Sequence, residues 1–170
     1  MKQLSLIIIL FGLFSCQTKV ENSNPLIFED EVNFKTLRQV TFGGDNAEAY
    51  WSFDDKQLVF QSNNNKWNVE CDQMFLMNAD QTFKNNDPKM ISTGLGRTTC
   101  SYFLPDNEHI LYASTHEDNE KCPEVPLRKE GKYVWPIYDS FDIYVSDLNG
   151  KITNKLTDQV GYDAEATVSP

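Results

Sequence analysis

Gly43-Gly44-Asp45-Asn46-Ala47-Glu48-Ala49-Tyr50-Trp51-Ser52-Phe53-Asp54-Asp55-Lys56-Gln57-Leu58-Val59-Phe60 reads as a turn, a short apolar strand, a tight polar turn and a second apolar strand. The same punctuation returns in Gly96-Arg97-Thr98-Thr99-Cys100-Ser101-Tyr102-Phe103-Leu104-Pro105-Asp106-Asn107-Glu108-His109-Ile110-Leu111-Tyr112. It begins a third time in Gly161-Tyr162-Asp163-Ala164-Glu165-Ala166-Thr167-Val168-Ser169-Pro170. The three align without gaps: Ser52 meets Leu104 and Ser169, and Phe53 meets Pro105 and Pro170. A unit that recurs at a period of tens of residues signals a repeat architecture.

Working outward, Leu37-Arg38-Gln39-Val40-Thr41 alternates and runs into Phe42-Gly43-Gly44, a strand followed by a turn. Ala47 to Phe53, Gln57 to Gln61, Gln73 to Met77 and Lys89 to Ser92 then read as four strands. Asp54-Asp55-Lys56 is a tight hairpin turn between the first two. In the second repeat the same places fall to Ser101 to Leu104, Ile110 to Tyr112, Phe141 to Val145 and Lys151 to Thr157. No stretch keeps a helical period. Leu26 to Leu37 mixes apolar and acidic residues, as a lead-in strand or a segment packed on the first repeat.

Four short strands per repeat is the pattern of a propeller blade. The expected fold is therefore all-β: a partial β-propeller of four-stranded antiparallel blades, about two blades plus the first strand of a third. The steps from Phe53 to Pro105 and on to Pro170 exceed the roughly 40–45 residues of such a blade. The surplus falls in Ser62 to Cys71 and above all in His116 to Ser140, an excursion read either as a recognition feature or as decoration. Two and a fraction blades leave sheet edges open. The expectation is a piece of a longer propeller, truncated at its C-terminus, or one completed by assembly.

The segment before the repeats divides in two. Lys2 followed by the apolar run Leu4 to Phe14 is a leader too short to span a bilayer as a helix. It ends in Leu13-Phe14-Ser15-Cys16, which resembles a bacterial lipobox. That resemblance implies a signal peptide over 1–15 and a diacylglycerol thioether on Cys16, with further acylation giving stable anchoring. The alternative is an ordinary secretory signal with a chance cysteine. Residues 16–25 read as a polar tether, and 26–170 as the repeats. Gln17 in place of Asp permits outer-membrane delivery in enterobacterial-type sorting, with the leaflet left open.

The hairpins and third strands together carry a wider resemblance. Ser52-Phe53-Asp54-Asp55, Leu104-Pro105-Asp106-Asn107 and Ser169-Pro170 are similar to the Ser-Pro-Asp-Gly hairpin of the TolB-like, WD-like β-propeller repeat family. Met74-Phe75-Leu76-Met77-Asn78-Ala79-Asp80-Gln81 and Ile143-Tyr144-Val145-Ser146-Asp147-Leu148-Asn149-Gly150 are similar to its third strand. Asp55 and Asn107 stand where the family has Gly, and both residue types tolerate positive φ. The resemblance implies a non-catalytic, protein-binding propeller on the envelope side of a membrane. Similar propellers precede the hydrolase domain of prolyl oligopeptidase-like enzymes, so the propeller of a truncated envelope hydrolase is the alternative. The chain contains no Gly-x-Ser-x-Gly elbow.

In such a blade, the connection into the first strand and the loop between the second and third strands share one face. Asn46, Glu48, Arg97, His116, Asp163 and Glu165 are placed there, with Asn46 equivalent to Asp163 and Glu48 to Glu165. Paired carboxylates at a channel mouth hold a cation, a solute or a basic peptide group, or else bond neighbouring backbone and keep the blades in register. A solute- or glycan-binding sensor is the corresponding third reading. Neither His116 nor His109 has ligand spacing to a second histidine, and no metal, cofactor or catalytic residue is expected. Cys71, Cys100 and Cys122 map to the same face, with Cys71–Cys100 the favoured disulfide, Cys122 the alternative partner of Cys100, and three reduced thiols the remaining case. Trp51, Tyr50, Tyr102 and Phe103 read as inter-blade core, and Trp135 within Tyr133 to Tyr138 as a partner anchor or as packing. A formal charge of −10 with no basic stripe excludes nucleic acid as the natural partner.

Overall fold

The computed structural model describes residues 24–125, 130–132, 134 and 136–169. The chain divides into two units, Met1–Arg38 and Gln39–Pro170. The described residues of the first form turns without a strand. Side-chain acceptors turn the chain here: Asn24 Oδ1 takes the Leu26 amide at 3.0 Å and Glu31 Oε2 the Phe28 amide at 2.8 Å. Asn24 also donates to the Leu37 carbonyl at 2.6 Å. Of the two readings for Leu26 to Leu37, the lead-in strand does not form.

The second unit is all-β. Its strands are β1 (Asp45–Trp51), β2 (Gln57–Asn63), β3 (Gln73–Asn78), β4 (Lys89–Met90), β5 (Thr98–Phe103), β6 (His109–Ser114), β7 (Ser140–Asp147), β8 (Ile152–Lys155) and β9 (Gly161–Tyr162). Two sheets result, in the orders β1-β2-β3-β4 and β5-β6-β7-β8, with antiparallel neighbours throughout. β9 joins the second sheet off this path, parallel to β7. Among the described residues the strands close no barrel or ring.

The repeat is reproduced pair by pair. Ala47 faces Gln61 and Tyr50 faces Val59; Thr99 faces Ala113 and Tyr102 faces Leu111. In both sheets the register slips between those two pairs, so Glu48-Ala49 and Cys100-Ser101 bulge out of the inner strand. Both hairpins turn through a left-handed residue, Asp55 at φ 58 and Asn107 at φ 57. The equivalent glycines Gly44 and Gly96 lie so close to the crossing chain that a Cβ would come within 2.6 Å of Asn64 Cβ and 2.8 Å of His116 Cα. Only glycine fits there.

Alternation along the strands builds two cores. One face of the first sheet gives Val59, Met74 and Leu76, which join Phe103, Ile110, Tyr112 and Tyr144 of the second sheet in one buried cluster with Ile91. Phe103 is fully buried, so its truncation costs about 3–5 kcal/mol. The opposite face of the first sheet gives Phe60, Phe75 and Met77, covered by Trp67, Val69 and Phe83.

Two further expectations are corrected. Leu37 to Thr41 is not a strand: it makes one parallel bridge, Thr41 to Phe83, with the Phe83 amide on the Val40 carbonyl at 2.8 Å. Its neighbour is the irregular β3–β4 connection, which offers a single bond rather than a ladder. Trp51 is not inter-sheet core. It pairs with Leu58 on the face turned from the second sheet and is half exposed. Tyr50 does meet the second sheet, its ring 5.4 Å from Tyr102.

Candidate functional site

The left-handed position of the two bulges recurs beyond β9, outside any strand. Glu48, Cys100 and Glu165 occupy equivalent positions in the three repeats, and all three are left-handed, at φ 48, 47 and 60. A non-glycine residue in this region costs about 1–3 kcal/mol unless its surroundings hold it. At Cys100 the holding group is Gln61 from the first sheet. Its buried Oε1 accepts from Thr99 Oγ1 at 2.9 Å and from the Cys100 amide at 3.2 Å.

These three left-handed positions bring their side chains to one mouth. Glu48, Cys100 and Glu165 line a cavity of about 520 Å³ together with Asp45, Asp72, Arg97, Gln61 and Thr99. An adjoining hollow of about 270 Å³ shares the same three residues and adds Tyr50, Ser101 and Tyr102. Four carboxylates therefore face one guanidinium. Low-dielectric walls strengthen such a field. Its effect is visible on neighbours. The hydrogen bond from the Tyr50 hydroxyl to Glu48 Oε2, at 3.0 Å, holds the Tyr50 pKa above its ordinary value, and the Glu48 charge adds to it. Burial pushes the Cys100 thiol up; the Thr99 hydroxyl works against that and the Glu48 and Glu165 charges reinforce it. Cys100 is thus a neutral thiol and a poor nucleophile.

Arg97 is placed by its backbone. Its amide donates to Thr115 Oγ1 and its carbonyl accepts the Thr115 amide, both at 3.0 Å. Its side chain is 7% exposed and sits 3.6 Å from Asp72 Oδ2 through Nε, which makes no hydrogen bond. A buried donor without an acceptor costs about 1–3 kcal/mol, and more when charged.

A second polar cluster closes the base of the excursion. Lys155 Nζ lies 2.8 Å from both Glu117 Oε2 and Asp142 Oδ2, and 5.5 Å from the Tyr144 ring centroid. His116 packs on the same Tyr144 ring, at 4.5 Å between centroids, with Nδ1 3.0 Å from Ser114 Oγ. The two hydrogen-bonded carboxylates, Asp142 first, hold the Lys155 pKa above its usual range. Burial pushes His116 down. Glu117, Asp142 and Lys155 also line an open hollow of about 710 Å³ with Asp118, Asp139 and Asp158.

Of the residues singled out in the sequence, Glu48, Arg97 and Glu165 meet at the mouth. His116 belongs instead to the Lys155 cluster. Asn46 bonds locally, accepting from Ser62 Oγ at 2.9 Å and donating to the Gly43 carbonyl at 3.1 Å. Asp163 continues the β9 pairing, its amide on the Phe141 carbonyl at 3.0 Å. The disulfide joins Cys71 to Cys122, and Cys100 is free, so neither the favoured Cys71–Cys100 bond nor the Cys100–Cys122 alternative forms. The cause is the path of the excursion: the Gly96 amide on the Glu120 carbonyl, at 2.8 Å, carries the chain back so that Cys122 reaches Cys71. Cys16 with the leader, most of the tether, Tyr133, Trp135 and Pro170 lie outside the described residues.

Sequence reading missed Asp45, Asp72, Gln61 and Thr99 at the mouth; it placed Cys100 on this face, as a disulfide candidate or a reduced thiol. The signal was present for Cys100: it aligns with Glu48 and Glu165 without a gap. No protein-family model, curated protein or solved structure matches this chain.

Proposed function

We propose that this chain is the blade-bearing part of an envelope β-propeller, anchored through lipid on Cys16, that binds a protein partner without catalysis. The mouth takes a cationic segment of that partner. One observation carries the reading: three repeat-equivalent left-handed residues, Glu48, Cys100 and Glu165, converge on a cavity rimmed by Asp45, Glu48, Asp72 and Glu165. A repeated backbone device that delivers side chains from successive repeats to one opening is how propellers build binding sites. The sign of the lining favours a basic partner. Burial and the Glu48 and Glu165 charges keep the Cys100 thiol neutral, which favours binding over nucleophilic chemistry. The propeller itself is supported by the identical register of the two sheets, and the anchor by Leu13-Phe14-Ser15-Cys16.

The test is calorimetric titration of the full chain at low salt with capped oligolysine and oligoglutamate peptides. Oligolysine binds, and the Glu48→Gln/Glu165→Gln double variant weakens it at least tenfold. Absence of oligolysine binding, or binding unchanged in the double variant, overturns the reading. Intact mass of the membrane-extracted protein tests the anchor, which requires acyl chains on a chain beginning at Cys16.

A further inference from the structure

Arg97 is a polar side chain of the mouth with a buried donor unspent, its Nε. It is more than nine-tenths buried, it lines the cavity, and its buried Nε makes no hydrogen bond among the described residues. A guanidinium carries five N–H donors in a rigid fork. Its ion-pair partner, Asp72 Oδ2, stands 3.6 Å from Nε, beyond hydrogen-bond reach. That gap is held by backbone on both sides. Arg97 is fixed to Thr115, and the Asp72 carbonyl accepts the Thr98 amide at 2.9 Å and Thr98 Oγ1 at 3.1 Å.

We infer that Arg97 is a specificity-determining residue of the mouth, donating to a backbone carbonyl of a bound peptide next to the lysine or arginine side chain that the carboxylates hold. The inference rests on the mouth being a receptor for a cationic segment and names what in that segment is recognised. The charges around Arg97 select this ligand. A free anion is opposed by Asp45, Glu48 and Glu165, which face the same space. A bare cation satisfies those carboxylates and leaves the Arg97 Nε donor empty. A neutral acceptor beside a cation satisfies both, and the peptide group of a basic residue is that pair. Buried donors left unpaired by a wrong ligand give strong discrimination, because the cost falls on the ligand that lacks the acceptor.

The experiment compares two doubly charged probes in the full chain: a capped Lys-Gly-Lys peptide and a linear diaminoalkane of similar charge spacing. The wild type prefers the peptide at least tenfold. Arg97→Met abolishes that preference while retaining the diaminoalkane, and Arg97→Lys retains part of it. Equal affinity for the two probes in the wild type overturns the inference without needing any variant, as does an undiminished preference in Arg97→Met. Binding of neither probe overturns the cationic mouth as well, so the two failures are distinguishable.

Discussion

The backbone amide of Asp54 donates to Asn107 Oδ1 at 3.2 Å, so the hairpin turn of one repeat is tied to the equivalent turn of the next. Asn107 also holds the left-handed turn position, at φ 57, as Asp55 does in the first repeat at φ 58. It therefore does two things that glycine and alanine separate. Asn107→Gly keeps the conformation and loses the bond, and costs under about 1 kcal/mol. Asn107→Ala loses both and costs about 1–3 kcal/mol. Denaturant unfolding of the two variants checks the order; an alanine variant as stable as the glycine one contradicts it.

The disulfide joins residues 51 positions apart. On the chain-entropy account a loop of that size contributes about 4 kcal/mol. Reduction, or Cys122→Ser, is expected to lower stability by an amount of that order, less any structure retained in the unfolded chain. A non-reducing digest yields a linked peptide pair containing Cys71 and Cys122, with Cys100 open to alkylation after denaturation. A Cys71–Cys100 link contradicts the pairing.

What was legible in the sequence is what local chemistry fixes. The hairpins were readable because Ser52, Asp54 and Asp55 act on their own turn: Ser52 Oγ donates to Asp54 Oδ1 at 2.7 Å and accepts the Gln57 amide at 2.9 Å. The strands were readable because Val59 and Phe60 alternate between two apolar faces. The bulges were not readable as bulges. Glutamate has no preference for positive φ, and Glu48 is placed there by the register on both sides of it. The disulfide was misread for a similar reason. Its partner is chosen by the route of an irregular excursion, which no period or turn residue encodes. Arg97 was found as a residue of the right face, but its Nε without a hydrogen bond depends on two fixed backbones and has no sequence signature.

Gly44 and Gly96 give a paired prediction. Both are left-handed, at φ 67 and 58, and both meet the chain leaving the second strand of their repeat. An alanine Cβ at Gly96 comes within 2.8 Å of the His116 amide nitrogen, and at Gly44 within 2.7 Å of the Asn63 carbonyl. These are backbone contacts and cannot swing aside. Each substitution costs at least the about 1–3 kcal/mol of a left-handed non-glycine residue, with the clash added. Gly131, also at positive φ, has no atom within 4 Å of the point that an alanine Cβ would occupy. Gly131→Ala bears the conformational cost alone and serves as the control. Thermal unfolding that ranks Gly131→Ala with the other two removes the close-approach argument.

His116 sets the acid limb of stability. Burial holds its pKa below the ordinary 6.5. Among the charged groups around it, Glu117 and Asp142 favour the imidazolium and Lys155 opposes it, and burial outweighs the net effect of the three. The folded chain thus binds a proton less readily than the unfolded chain. Linkage then gives the sign: stability is fully present above pH 6.5, where both forms are neutral, and falls as pH drops through 6.5 to the depressed folded value. Glu117, whose pKa is lowered first by its hydrogen bond with Lys155, adds a second loss further down, below the usual glutamate range. His116→Gln removes the first loss and leaves the second. Midpoints of urea unfolding between about pH 7 and pH 5 are therefore flatter in His116→Gln than in the wild type. Lys155→Met gives the complementary result. It removes the cation that opposes the imidazolium and frees Glu117 and Asp142 to favour it, so the His116 pKa rises and the first loss shrinks. An unchanged slope in both variants places the acid sensitivity elsewhere in the chain.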